Sequence, residues 1–267
     1  GPAYNILVVA NMDDQNTLAR TDDVRRNSSS VGPTLSSRKK PDITAPGTNI
    51  MSTNNSWAGT GSGNPDPDCW GTYASRQGYD WSRCSGTSMS APHVSAAIIL
   101  MEDGGNHTPM AQKAVLINTA DAWESNDTSG TGDDGPAVGS HWDKSYGWGY
   151  LDMWEAHYNR SDYFIDSVLP RNDTAAADDY KLYKGPMYRS SSEAEKATLV
   201  WQKRSNYVAG EPPTTLYALS DLNLRLYNET DGTLIDSDLD SNDNVHQVDM
   251  SSETNGWHDV VLKVYSW

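Results

Sequence analysis

The chain has 267 residues, with 36 acidic side chains against 20 lysines and arginines, a formal charge of −16. That length suits one large domain or two ordinary ones, each able to bury a core, and the acidic surplus argues against nucleic acid or an anionic membrane as partner, because both attract basic surfaces. The longest mostly apolar run, residues 94–101, is far too short to cross a bilayer, and the opening residues do not have the pattern of a signal peptide.

The first predicted element is "NILVVA", residues 5–10, whose nearly unbroken apolar character suits a strand covered on both faces, as in a parallel α/β sheet. A polar, turn-rich stretch follows. "KPDITAPGTNIMST", residues 40–53, offers a Pro-bounded extended piece, a turn at Pro46 and Gly47, and a short strand over residues 49–52. Residues 54–85 are dominated by Gly, Asp, Asn and Pro and are expected as a surface loop. Within it lie the two cysteines, Cys69 and Cys84. A disulfide between them would stabilise by roughly 3 kcal/mol in the chain-entropy account. Two separate thiols are the other reading, and the segment supplies too few ligands for zinc.

"SMSAPHVSAAIILM", residues 88–101, predicts a helix entered near Ser88, with Pro92 in its first turn and Gly104 and Gly105 ending it. Thr108 and Pro109 have the form of a cap and first residue of a second helix, continued by "MAQKAVLINTA" to about Ala120. "YGWGYLDMWEAHY", residues 146–158, reads as a turn and a terminal helix, so the first domain is expected over residues 1–159.

In the expected second domain, residues 160–267, the period changes. "ATLVW", "DLNLRLY", "TLID", "VHQVDM" and "DVVLKVY" are short strand candidates; Leu222, Leu224 and Leu226, and likewise Val260, Leu262 and Val264, each line one face. Such strands, separated by Asp, Asn and Gly turns with no helix among them, predict an antiparallel β-sandwich. Asp236, Asp238 and Asp240 alternate so that all three can face one structural calcium ion, a pattern that equally suits a solvated acidic turn.

The segment "GTSMSAPHVSA", residues 86–96, carries the chemistry. A serine at the start of a helix sits where unpaired N–H groups and the positive dipole end face a developing oxyanion. The same position also suits a plain helix cap. This string resembles the nucleophile segment of the subtilisin-like serine proteases, in which G-T-S-M-[AS]-x-P-H-V surrounds the catalytic serine; Ser88 matches the nucleophile. "SSVGP" (residues 29–33), "KPDITAPGTNI" (40–50) and "YGWGYLDM" (146–153) are similar to further blocks of that family in the same order. The G-x-S-x-G elbow of the α/β-hydrolases does not fit, since Ser90 stands at its last glycine.

The resemblance covers about residues 5–158 and implies the C-terminal part of a subtilisin-like parallel-sheet domain. The C-terminal strands look like the jelly-roll-like sandwich attached to some long members. The implied activity is endoproteolysis through an acyl-enzyme on Ser88, with a peptide or protein as substrate and no cofactor required for catalysis. All six histidines lie beyond Ser88. His93, five residues on along the same helix, points away from the hydroxyl and is expected to pack. In the family the base, its aspartate and an oxyanion-hole asparagine come before the region matching Asn5. They are expected from an upstream segment or a partner chain, and this chain alone is expected to be inactive or nearly so. The alternative is a non-catalytic pseudoprotease or binding module. Seven N-x-S/T sequons, at Asn27, Asn54, Asn106, Asn126, Asn159, Asn172 and Asn228, together with the cysteines and the acidity, favour a secreted, extracellular protein.

Overall fold

The computed structural model describes residues 4–18, 22–53, 69–70, 81–106, 108–121, 142–167, 180–190, 194–203, 205–206, 215–216 and 219–266. Strands β1 (Val9–Asp13), β2 (Val24–Arg25) and β3 (Ile43–Pro46) form one sheet in the order β2-β1-β3. β1 and β3 run parallel, Val9 opposite Ile43, and Tyr150 adds a parallel bridge to Thr44. A second sheet is antiparallel, in the order β4-β6-β5, made of β4 (Ile50–Thr53), β5 (Cys69–Trp70) and β6 (Trp81–Cys84).

Helix α1 (Thr87–Asp103) begins at Gly86 and stops at Gly104. It buries Ser90, Val94, Ala97 and Met101, a stripe at helical spacing, against β1 and β3. Helix α2 (Pro109–Asn118) adds Val115 and Leu116 to this core, with Ile43, Ala45, Ala120 and Ala156. The alanines let helix and sheet approach closely. A π-helical turn, Trp154–Tyr158, stands where the sequence suggests a terminal helix.

The C-terminal strands are β7 (Tyr180–Arg189), β8 (Lys196–Val200), β9 (Ser205–Asn206), β10 (Thr215–Leu216), β11 (Leu222–Asn228), β12 (Leu234–Asp238), β13 (Val245–Asp249) and β14 (Gly256–Ser266). They make antiparallel sheets in the orders β12-β11-β14-β7 and β13-β8, plus the β9–β10 pair. Leu224, Leu226, Val260 and Val264 meet Val248 and Met250 in one buried cluster, so the alternation seen in the sequence marks the inner faces. The architecture is mixed α/β with few helices and several antiparallel sheets.

The N-terminal strand departs from the expectation. It starts at Val9 rather than Asn5, because side chains tie down the preceding carbonyls: Lys113 Nζ donates to the carbonyls of Ile6 and Tyr4 at 3.1 and 3.4 Å. Asp42 accepts the Val8 N–H at 2.7 Å. The N-terminal and C-terminal parts also meet. Lys196 Nζ donates to the Ala120 carbonyl and Thr198 to Asn118 Oδ1, both at 2.8 Å, while Ile117, Trp148 and Val245 share a small core.

Candidate active site

The turn before α1 is fixed by the backbone. Gly47 N–H donates to the Met12 carbonyl at 3.0 Å, and the Gly47 carbonyl accepts Gly86 N–H at 2.8 Å, tying the helix start to the end of β1. Asn49 N–H donates to Ser85 Oγ at 2.8 Å. Gly86 has φ of 154°, a backbone conformation that side chains disfavour, and it serves as N-cap without a side-chain hydrogen bond. The carbonyl of Gly86 accepts the N–H groups of Met89 and Ser90.

Ser88 is the second residue of α1 and faces solvent. Among the described residues neither its hydroxyl nor its N–H takes a hydrogen-bond partner. Both groups lie at the positive end of the helix, where unpaired donors can face a negative charge.

His93 is not aimed at Ser88. Its Nδ1 donates to the Met89 carbonyl at 2.8 Å, four residues back on the same helix, as expected for a packing residue. The register of β5 and β6 sets Cys69 opposite Cys84. The side chain of Cys69 and most of the surface loop expected over residues 54–85 lie outside the described residues. The three aspartates of the acidic turn are not gathered around one point. Asp236 accepts Asp249 N–H at 2.9 Å, Asp238 pairs with Lys39 Nζ at 2.8 Å, and Asp240 accepts Asn242 N–H at 2.9 Å. Among the described residues no group of three His, Cys, Asp or Glu side chains is placed to hold a metal ion.

Two features have little signature in the sequence. One is a buried charge cluster: Asp42, fully buried, pairs with Lys40 Nζ at 2.6 Å and Lys113 Nζ at 3.1 Å. Burial pulls the Lys40 ammonium down to about 8, against the opposing pull of Asp42. Lys40 and Asp42 were legible only as part of the K-P-D block, and Lys113 reads as an ordinary helix lysine. The other is an apolar groove of about 450 Å³ between α1, α2 and the outer side of the β1 segment, lined by Leu7, Val9, Val94, Ile98 and Met110. Ile6 and, on α1, Ile99 and Leu100 are exposed as well.

The family model that matches this chain is that of the subtilase family, over residues 1–149. A curated relative, the serine protease AprX of Bacillus subtilis (strain 168), is 34% identical over 128 residues, 48% of this chain; the chain covers 27% of that protein's length. Among solved structures, fervidolysin from Fervidobacterium pennivorans, a keratinolytic enzyme related to subtilisin, is 15% identical with a TM-score of 0.40, over 97% of this chain and 27% of that one. The Aeromonas sobria serine protease in complex with its chaperone is 14% identical with a TM-score of 0.43, over 97% of this chain and 50% of that one.

Proposed function

The chain belongs to the subtilase family, and from that premise we propose that Ser88 is the nucleophile of a secreted serine endopeptidase. Ser88 Oγ attacks the scissile carbonyl carbon and gives its proton to a histidine base; the C–N bond breaks as that proton passes to the leaving amine. Water then hydrolyses the ester and regenerates the hydroxyl. The observation that carries this reading is the exposed Ser88, with free hydroxyl and free N–H, in the first turn of α1.

The histidine and aspartate come from an upstream segment of a longer precursor or from a separate or cleaved chain, and the present chain alone has little or no activity. The groove between α1 and α2, lined by Leu7, Val9, Val94, Ile98 and Met110, is the surface against which such a segment packs. Residues 1–159 form the peptidase part and residues 160–267 a jelly-roll-like sandwich that braces α2 through Lys196 and Thr198. The facing Cys69 and Cys84 form a disulfide in the oxidising exterior.

Fluorophosphonate labelling of the full-length precursor, with any companion chain present, tests the assignment. Ser88 is expected to carry the tag, and Ser88→Ala to lower proteolysis by about a thousandfold or more. A folded, assembled precursor that leaves Ser88 unlabelled would favour a non-catalytic binding module.

A further inference from the structure

Beneath the Ser88 turn, two fully buried polar side chains approach each other from different elements. Ser90, two residues after Ser88, lies on the inner face of α1, and its hydroxyl takes no partner. Asn11 sits in the middle of β1; its Oδ1 accepts the Thr48 hydroxyl at 3.3 Å, while its Nδ2 is unpaired. Gly47 separates the two with no space to spare. A β-carbon there would lie 2.0 Å from Ser90 Oγ and 2.4 Å from Asn11 Oδ1. The backbone of Asn11 is held firmly: its N–H donates to Ser29 Oγ at 3.0 Å, and its carbonyl accepts Arg26 N–H at 3.1 Å.

An unpaired buried polar group costs about 1–3 kcal/mol, and alanine at either place would avoid that cost, so packing alone does not account for the two side chains. We propose that Asn11 and Ser90 act as a coupled pair of positioning residues that fixes the rotation of the first turn of α1, and with it the direction of the Ser88 hydroxyl; this rests on the reading of Ser88 as nucleophile. Residues two apart stand about 200° round the helix axis. With the inner hydroxyl of Ser90 lodged against the Asn11 side chain across Gly47, the outer side chain of Ser88 is turned to one heading, and a displacement of about 1 Å at a reacting atom costs about a hundredfold in rate.

The test uses Ser90→Ala, Asn11→Ala and the double variant in the full-length precursor. Each single change is expected to lower the limiting rate of Ser88 phosphonylation about five- to twentyfold, with its concentration dependence unchanged. The double variant is expected to lose no more than the worse single one, and the thermal midpoint of Ser90→Ala to hold or rise, since an unpaired hydroxyl is removed. Single variants labelling within about twofold of wild type, losses that multiply in the double variant, or losses that follow the thermal midpoint would each overturn the pairing. Amide exchange on the present chain separates this outcome from the fate of the nucleophile assignment. Faster exchange confined to Met89 and Ser90 in the single variants supports the pair even if wild-type Ser88 never labels, in which case the nucleophile assignment falls; unchanged exchange in both single variants sinks the pair whatever Ser88 does.

Discussion

The two ends of the molecule solve burial differently. Among the C-terminal strands the alternating leucines of β11 and valines of β14 face Val248 and Met250 across the layer in an apolar cluster, and the buried polar residues of that part, such as Asn244, His246 and Gln247, lie outside it. The N-terminal part buries one stripe of α1 against two parallel strands, leaves Ile99 and Leu100 in water, and encloses Lys40, Asp42, Lys113, Asn11 and Ser90. An apolar cluster between strands can be built from side-chain alternation. The start of α1 has to be held against the end of β1, and polar groups do that because hydrogen bonds have direction where apolar contacts have little.

The sharpest way to break this comparison is Asp42→Asn. It leaves two buried ammonium groups without their carboxylate and turns one of two acceptor oxygens into an NH2 donor, and it is expected to cost about 3–5 kcal/mol in denaturant unfolding. A loss below about 1 kcal/mol would show that the lysines are solvated in the folded protein. In the sandwich, Leu226→Ala at a fully buried position should cost about 2–5 kcal/mol. The same measurement on both variants compares an ionic core with an apolar one.

A smaller effect falls on the contact between the two parts. Burial lowers the Lys196 ammonium from 10.5 to about 8, partly opposed by Asp249. Between those values the folded chain has released a proton that the unfolded chain still holds, so stability rises with pH across that window and the contribution is flat below about 8. Lys196→Met should flatten the slope between pH 8 and 10.5, a change on the order of 1 kcal/mol, followed as denaturation midpoints against pH. An unchanged slope would mean that this lysine titrates alike in both states. The smallest effect is expected at Ile6→Ser, within about 0.5 kcal/mol of wild type, because this side chain, at the edge of the groove, is already 53% exposed. Its consequence should appear instead as weaker association with the segment proposed to cover the groove, measured by native mass spectrometry.

Much of this was legible in the sequence because it is local. Ser88 and Gly104 mark the neighbourhood where α1 starts and stops, Thr108 and Pro109 mark the start of α2, and the period-two leucines and valines mark the inner faces of β11 and β14. The serine block and its companion motifs named the family before any coordinate. Strand β7 escaped notice because Gly185 and Pro186 interrupt it. It forms nonetheless at the edge of its sheet, where Pro186 faces Asp259 across the β14 pairing and the missing N–H can point outward.

What the sequence determined by itself is the serine, its helix and the alternating strands, since each depends on neighbours a few residues away. Only the tertiary structure decided that β1 begins at Val9, that Lys113 joins the K-P-D block around one aspartate, and that Asn11 and Ser90 meet across Gly47. Those partners are 79 residues apart for Asn11 and Ser90 and 71 apart for Asp42 and Lys113 (90 − 11 and 113 − 42). No local periodicity encodes a contact between side chains that far apart along the chain; the packing of α1 and α2 on the parallel strands creates it.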